Sequence, residues 1–273
     1  MLGYIISDKN EINVKNYEIQ SFDILHKTDL NIFVIENNKV LYKNNIINRA
    51  SEYEHVQVLE WFKNSGYEFK YNEDVINYAS EKGHVQVLEW FKNSGYKFKY
   101  DKNAINYASI NGHIQVLEWF VKSGFEFKYD HLTIDSASCG GQIQVLEWFK
   151  NSGYEFKYTE NAINYASANS NIQVLGWFKN SGYEFKYNES GFNWASECGC
   201  IQVLEWFKNF KYKFKYTKFA ISSASRNKHT KVLEFYSKNI NIKKLIKWSK
   251  KIIFIKTIKF KTNNKYIKGY QKN

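Results

Sequence analysis

The 273-residue sequence predicts an all-α fold, a solenoid of helix-turn-helix repeats. Three observations support this prediction. The motif Val-Leu-Glu-Trp-Phe recurs, with two variants, every 29 residues; its apolar residues follow helical spacing; and glycines recur at two fixed points of the interval. A unit of this length buries its apolar face only against its neighbours, so the period predicts a stacked array.

Seven repeats are predicted over residues 45–239. Their anchor is the aromatic residue of the motif, at Trp61, Trp90, Trp119, Trp148, Trp177, Trp206 and Phe235. Counted from sixteen residues before each anchor, the repeats begin at Asn45, Asp74, Asn103, Leu132, Asn161, Ser190 and Phe219. Repeat positions are numbered 1 to 29 from these starts, so the anchor occupies position 17.

The third repeat shows the elements in order. Asn103 is the predicted N-cap of a short helix that ends at Gly112, a residue free to adopt the left-handed C-cap conformation. A second helix places Leu117 and Phe120 on one apolar face and ends at Gly124. Each repeat is therefore a first helix, a tight turn, a second helix and a loop.

The repeated block Ala-Ser-x-x-Gly-His-Ile-Gln-Val-Leu-Glu-Trp-Phe-x-x-Ser-Gly resembles the ankyrin family's Ala-Ala-x-x-Gly-His-x-x-Val-Val-x-x-Leu-Leu-x-x-Gly. Its aromatic-rich form is most similar to the ankyrin arrays of giant DNA viruses of amoebae. The tryptophans stand where the family has Leu, which implies interior packing. The usual period is 33, and the four missing residues fall between the second helix and the next first helix, so short loops are expected instead of projecting β-hairpins. Asn103 to Asn106 replace the family's Thr-Pro-Leu-His, so the hydrogen bonds of that motif are not predicted.

The resemblance implies a non-catalytic protein-protein interaction module without cofactor or small-molecule substrate. The partner is expected on the concave side, formed by first helices and loop tips, and it belongs to the host cell if the chain is viral. Positions 8, 9, 28 and 29 vary among otherwise similar repeats, which favours them as contacts; drift at exposed sites is the alternative. The candidate contacts are Tyr53, Asn72, Glu73, Glu81, Lys82, Asp101, Lys102, Ile110, Asn111, Asp130, His131, Thr159, Glu160, Asn169, Asn188, Glu189, Glu197 and Arg226.

Each loop alternates aromatic and charged residues, as in the stretch from Tyr67 to Tyr71. Two interpretations stand. The rings form a stacking platform for single-stranded nucleic acid, or they fill the space between adjacent loops while the charges face water. The second is favoured because a repeat buries apolar surface only against its neighbours.

Residue patterns for catalysis or metal binding are not recognisable. No phosphate-loop, dinucleotide-binding or His-Glu-x-x-His motif occurs, and the Glu at position 16 of the second helices is predicted to face solvent. His55, His84 and His113 recur one repeat apart, about 9 Å, which is too far to share a metal at about 2 Å, so they are predicted to brace turns by hydrogen bonds.

Three cysteines are too few for a disulfide framework, and no stretch of 18 apolar residues or basic leader is present, so an intracellular, cytoplasmic location is expected.

Charge is unevenly distributed between the ends. The net charge is +12, yet residues 1–200 carry 19 Lys/Arg against 25 Asp/Glu, whereas residues 201–273 carry 20 against two. A coding bias that also enriches Asn, Ile, Tyr and Phe is a competing explanation for the lysines.

The two end segments differ from the array. Residues 1–44 are a degenerate or capping segment, in which 31–42 is either a hairpin or a degenerate unit. Residues 240–273 carry 11 Lys and no acid, and one apolar helical face predicts a helix that caps the array. The alternative is electrostatic binding of nucleic acid or anionic membrane by the tail through Lys243, Lys244, Lys247, Lys250 and Lys251.

Overall fold

The computed structural model describes residues 2–7, 11, 13–16, 18–21, 31–37, 39–42, 45–66, 68–215 and 217–239. Within these residues the predicted all-α helix-turn-helix fold is confirmed, with one helix pair per repeat. The first helices are α1 (Ile46–Glu52), α3 (Asp74–Lys82), α5 (Asn103–Asn111), α7 (His131–Gly140), α9 (Glu160–Ala168), α11 (Glu189–Glu197) and α13 (Lys218–Arg226). The second helices are α2 (Val56–Ser65), α4 (Val85–Asn93), α6 (Ile114–Ser123), α8 (Ile143–Asn151), α10 (Ile172–Asn180), α12 (Ile201–Asn209) and α14 (Thr230–Asn239).

Two compact units divide the chain, residues 1–133 and residues 134–273, and the division falls inside α7. In each unit, first helices pack on first helices and second helices on second helices. The first unit contains the rows α1–α3–α5 and α2–α4–α6, and the second contains α9–α11–α13 and α8–α10–α12–α14. None of the helices in the described ranges has the length and apolar character that crossing a bilayer requires.

The core repeats with the sequence. In the third repeat Ala104 and Ile105 on the first helix, and Leu117 and Phe120 on the second, are fully buried. The corresponding Phe91, Phe149 and Phe178 of other repeats are fully buried as well. Truncating one such Phe to Ala costs about 3–5 kcal/mol of stability, so these positions tolerate little variation.

Repeat position 10 ends each first helix in the left-handed conformation. Gly83 has φ +79°, and a Cβ built there lies 2.7 Å from Nδ1 of His113 in the next repeat, so both backbone and space require glycine. Glu54, Ser170 and Lys228 occupy the same position with φ of 59° to 60°. Three repeats therefore retain a backbone conformation that is unfavourable for their residue.

The start of the first helix corrects one sequence prediction. Asn103 is the first residue of α5 and not its cap. Lys102 directly precedes the helix, and the capping hydrogen bond comes from Asp101, whose Oδ1 accepts the Asn103 backbone N–H at 2.8 Å. The sequence offered two residues of good capping type two positions apart, and only the backbone path decided between them.

Strands occupy part of the N-terminal segment. β1 (Leu2–Ser7), β2 (Asn31–Glu36) and β3 (Lys39–Tyr42) form an antiparallel sheet in the order β1-β2-β3, so the hairpin interpretation of residues 31–42 is confirmed. Tyr4 of β1 is fully buried, with its ring centroid 5.0 Å from that of Trp61 on α2. The sheet thus covers the anchor of the first repeat.

The tail beyond residue 239 lies outside the described residues. Its capping role and its polyanion contacts therefore stay predictions.

Candidate binding surface

The loop tips at position 28 fix the start of the next first helix. Oδ1 of Asp130 accepts the Leu132 backbone N–H at 2.9 Å, and Oδ1 of Asn188 accepts that of Ser190 at 2.8 Å. Thr159 caps α9 in the same way through its hydroxyl, at 3.1 Å. These side chains are helix caps, each of which contributes about 1 kcal/mol to stability.

The same tips also bond back to the preceding first helix at position 4. Asn77 Nδ2 donates to Asp101 at 3.1 Å, and the Thr159 hydroxyl donates to Asp135 at 2.6 Å. Asn72 accepts from Asn48 at 3.1 Å in the same way. A hydrogen-bond network therefore replaces the one expected from Thr-Pro-Leu-His. The tip residues therefore have a structural role, while their contact with a partner stays a prediction; they are Asn72, Asp101, Asp130, Thr159 and Asn188.

The neighbouring position 29 is freer. Glu73, Lys102, His131, Glu160 and Glu189 are all exposed. Lys102 forms an ion pair with Asp130 at 2.6 Å, and this hydrogen bond raises the pKa of Lys102. Exposed charges at this position are available to a partner.

Positions 8 and 9 at the end of the first helices divide into two groups. Tyr53 is 50% exposed, Arg226 is exposed, and Lys82 pairs with Glu81 at 3.0 Å on the surface. In the second group, residues form hydrogen bonds with backbone carbonyls of their own unit or are half-buried. Asn111 Nδ2 donates to the Tyr107 carbonyl at 2.9 Å, and Asn169 Nδ2 donates to the Cys139 carbonyl at 3.0 Å. The Glu197 carbonyl accepts a hydrogen bond from Asn227 Nδ2 at 2.9 Å. Ile110 is half-buried.

Position 11 braces neighbouring repeats, as predicted for the histidines. Nε2 of His84 lies 3.0 Å from the Glu52 carbonyl, and Nε2 of His229 lies 2.8 Å from the Glu197 carbonyl. Asn171 donates to the Cys139 carbonyl at 2.8 Å from the equivalent position. Burial lowers the pKa of His113, opposed by its hydrogen bond to the Glu81 carbonyl, so this ring favours the neutral form.

Aromatic residues at position 5 were missed by the sequence interpretation. Tyr78 and Tyr107 of the first unit lie on the outer side of α3 and α5, and Tyr107 is 37% exposed. In the second unit Tyr165 and Trp194 stack with ring centroids 5.5 Å apart and planes 9° apart. A signal was available, because Ser136 fills position 5 in the fourth repeat and shows that the fold does not need a ring there.

These rings lie beside the charged residues of the first-helix face, which we define as the exposed side chains at positions 5, 8 and 9. Arg49, at position 5 of the first repeat, donates to Glu52 at 2.6 Å, a hydrogen bond that raises its pKa. Its charge also interacts with Tyr53 and Tyr78. Tyr, Trp and Arg are the side chains most often found at the energetic centres of protein interfaces.

The loop aromatics pack against one another, in support of the packing interpretation. The Phe98 ring stacks on Phe125 at 4.2 Å and on Trp119 at 5.5 Å. The hydroxyl of Tyr100 donates to the Glu126 carbonyl at 2.7 Å, and Lys128 Nζ lies 4.2 Å from the Tyr100 ring centroid. The same contacts recur in other repeats at Phe69, Phe156 and Phe185. These ring faces are therefore already occupied by neighbours and not presented to nucleic acid bases.

A hydrogen-bond ladder links the second helices. Trp90 Nε1 donates to Glu60 of the preceding repeat at 2.8 Å, and Trp119 Nε1 donates to Glu89 at 2.8 Å. These bonds lower the pKa of both carboxyl groups, with Trp as the largest cause. The half-buried tryptophans are thus packing residues whose indole N–H forms a hydrogen bond. The carboxylates, which were predicted to face only solvent, also accept a hydrogen bond from the next repeat.

Open grooves follow this ladder on the second helices. One, of about 540 Å³, is lined by Val56, Glu60, Trp90 and neighbouring residues of α2 and α4. In the described part of the chain no group of three or more His, Cys, Asp or Glu is placed to hold a metal ion. Cys139, Cys198 and Cys200 are free thiols, and burial raises the pKa of Cys139 and Cys200.

With this geometry in place, comparison with known proteins adds little. No protein-family model matches the chain, and no curated protein matches it. Among solved structures it is similar to the human ASB11 ankyrin repeat domain, at 10% identity and a TM-score of 0.48, over 61% of this chain and 84% of that one. The fold class stands on the helix pairs described above.

Proposed function

We propose that the chain is a non-catalytic protein-binding module of ankyrin type, and that its partner binds the first-helix face. The observation that carries the proposal is the set of aromatic side chains at position 5, where the fourth repeat folds with Ser136. A half-exposed Tyr or Trp buries large area in a complex at low entropic cost.

The distribution of structural work supports the same face. Side chains at positions 4, 11, 17 and 28 are committed to bonds between repeats, whereas Tyr53, Tyr107 and Arg226 keep large exposed surfaces. Positions 5, 8 and 9 of this face also vary among the repeats. Among the candidate contacts, Tyr53, Lys82 and Arg226 therefore rank above the capping tips.

Affinity capture with the full chain tests the proposal by comparing variants under identical conditions. Tyr78→Ser with Tyr107→Ser installs the residue of the fourth repeat in the first unit, so the fold is expected to persist. A protein partner captured by the wild type should be depleted at least about tenfold, because each interface aromatic contributes about 1–2 kcal/mol or more.

The matched control is Val121→Lys on α6. Val121 is 46% exposed, and Lys is the residue that five other repeats carry at that position. Capture that survives the tyrosine substitutions and is lost in the control places the partner on the second helices and refutes the proposal.

A further inference from the structure

The sixth repeat departs from the others at one exposed place. Five repeats read Ser-Gly at positions 21 and 22, and four of the six loops carry Glu at position 24. The sixth repeat has Phe210, Lys211 and Lys213 instead. All three side chains are exposed, and Phe210 keeps 47% of its surface accessible.

The repeats act as internal controls for this difference. A coding bias toward Lys and Phe acts on the whole chain, yet five other repeats keep Ser-Gly at positions 21 and 22, and four of these five keep Glu at position 24, the second repeat having Lys97. The change replaces one acid and adds two lysines and a ring within four residues. Composition alone therefore does not explain the cluster.

Lys211 also occupies an unfavourable backbone conformation. It has φ 59° at the position where five repeats have glycine, and the Tyr212 N–H closes the helix end on the Phe207 carbonyl at 2.9 Å. A non-glycine residue in this conformation is strained, because its Cβ approaches the following carbonyl oxygen. Retained strain of this kind is commonly found at functional sites.

The surrounding charge is of one sign. Between Glu205 and Glu234 the chain has eight Lys or Arg and no acid. In the described part of the chain none of these eight forms a salt bridge with a carboxylate. Lys179 adds a further charge, with Nζ 4.7 Å from the centroid of the Phe210 ring, and Trp206 packs against the same ring with centroids 4.8 Å apart. These two neighbours cover part of the ring and leave the rest exposed. A polyanion is the complementary partner.

We propose that Phe210, Lys211 and Lys213 form a binding site for single-stranded nucleic acid, with the lysines on phosphates and the Phe210 ring under a base. Sequence-tolerant single-strand binding combines positive charge with accessible aromatic faces in this way. An anionic membrane is less suited, because a ring flanked by lysines offers little continuous apolar surface to insert. The site is separate from the first-helix face and does not depend on the proposed function.

The test measures fluorescence anisotropy of a labelled oligo(dT) of about 15 nucleotides, near the site size of one binding domain, with the full chain over a range of salt. The variant is Phe210→Ser, Lys211→Gly and Lys213→Glu together, which installs the residues that four of the other repeats carry at these positions. We expect affinity to fall at least about tenfold at about 0.1 M salt, and the slope of log K against log salt to fall by about 1.4 for two lost phosphate contacts. Phe210→Ser alone should weaken binding about fivefold or more and leave the slope unchanged.

The matched control is Lys92→Gln with Lys97→Glu, which removes the same three units of charge from the second repeat. Its affinity should stay within about twofold of wild type, since lysines outside the proposed site make none of its phosphate contacts. Unchanged affinity of the triple variant, or an equal loss in the control, overturns the proposal. The proposal is also overturned if duplex DNA binds as tightly as oligo(dT) and the Phe210→Ser substitution does not change that binding. Phosphatidylserine-vesicle binding that the triple variant loses while oligo(dT) binding persists overturns it as well. Circular dichroism should show the triple variant folded, because glycine relieves the strain at position 22.

Discussion

Gly176 interrupts the Trp–Glu ladder on the second helices. Six other repeats have Glu at this position, and in three of them it accepts the indole N–H of the next repeat's Trp, at 2.5 to 2.8 Å. Gly176 offers Trp206 no such acceptor. A Cβ built at Gly176 has no atom within 4 Å, so a longer side chain fits without rearrangement.

Gly176→Glu should therefore stabilise the protein through two contributions. Replacing Gly by an ordinary helix former gains about 0.5–1 kcal/mol. A hydrogen bond from the Trp206 indole to a partly exposed carboxylate adds about 0.5–1 kcal/mol. The sum of about 1–2 kcal/mol should raise the melting temperature by about 3–6 °C for a chain of this size.

Urea denaturation followed by circular dichroism measures the change, and Gly176→Ala separates helix propensity from the hydrogen bond. Trp206→Phe removes the donor, as Phe235 does naturally in the seventh repeat. A double-mutant cycle should give about 0.5–1 kcal/mol of coupling between residues 176 and 206. Equal stability of the Glu and Ala variants would refute the ladder, and no gain in either would refute an exposed helical site.

Stability should fall as the pH drops below about 6.5, because the folded-state pKa of His113 lies below its unfolded value and protonation favours the unfolded chain. The His113→Asn variant should show a smaller decrease of melting temperature with falling pH than the wild type. An unaltered pH profile would assign the acid sensitivity to another group. Ser170→Gly should raise stability by about 1 kcal/mol in urea titrations by relieving a left-handed backbone with φ 60°, and a lower midpoint would contradict that strain. Truncation after Asn239 should lower the melting temperature if the tail caps the array, whereas an unchanged value would exclude capping. Joint alanine substitution of Tyr53, Lys82, Ile110 and Arg226 should weaken partner capture while the circular dichroism spectrum stays native. If capture does not weaken, the assignment of the partner to the first-helix face is wrong.

Local regularity made much of the fold predictable from sequence. Helical spacing of Leu117 and Phe120, and glycine at positions 10 and 22, depend on residues within one or two turns of each other. The period of 29 also determined that loops are too short for projecting hairpins, and the described residues of the array contain no strand. The three-stranded sheet was only partly predictable, because the pairing of Leu2 with Glu36 joins residues distant in sequence.

The sequence by itself determined the number of repeats, the helix pairs, the shortened loops and the bracing role of His84. Only the tertiary structure decided that Asp101 accepts the capping hydrogen bond of α5 and a second one from Asn77. It also decided that Glu60 accepts the Trp90 indole N–H and that Tyr107 stays exposed. The physical reason is the repetition itself. Each side chain has candidate partners of the same type one repeat before and one repeat after, at equal sequence separation, and only the stacking geometry places one of them within hydrogen-bond distance.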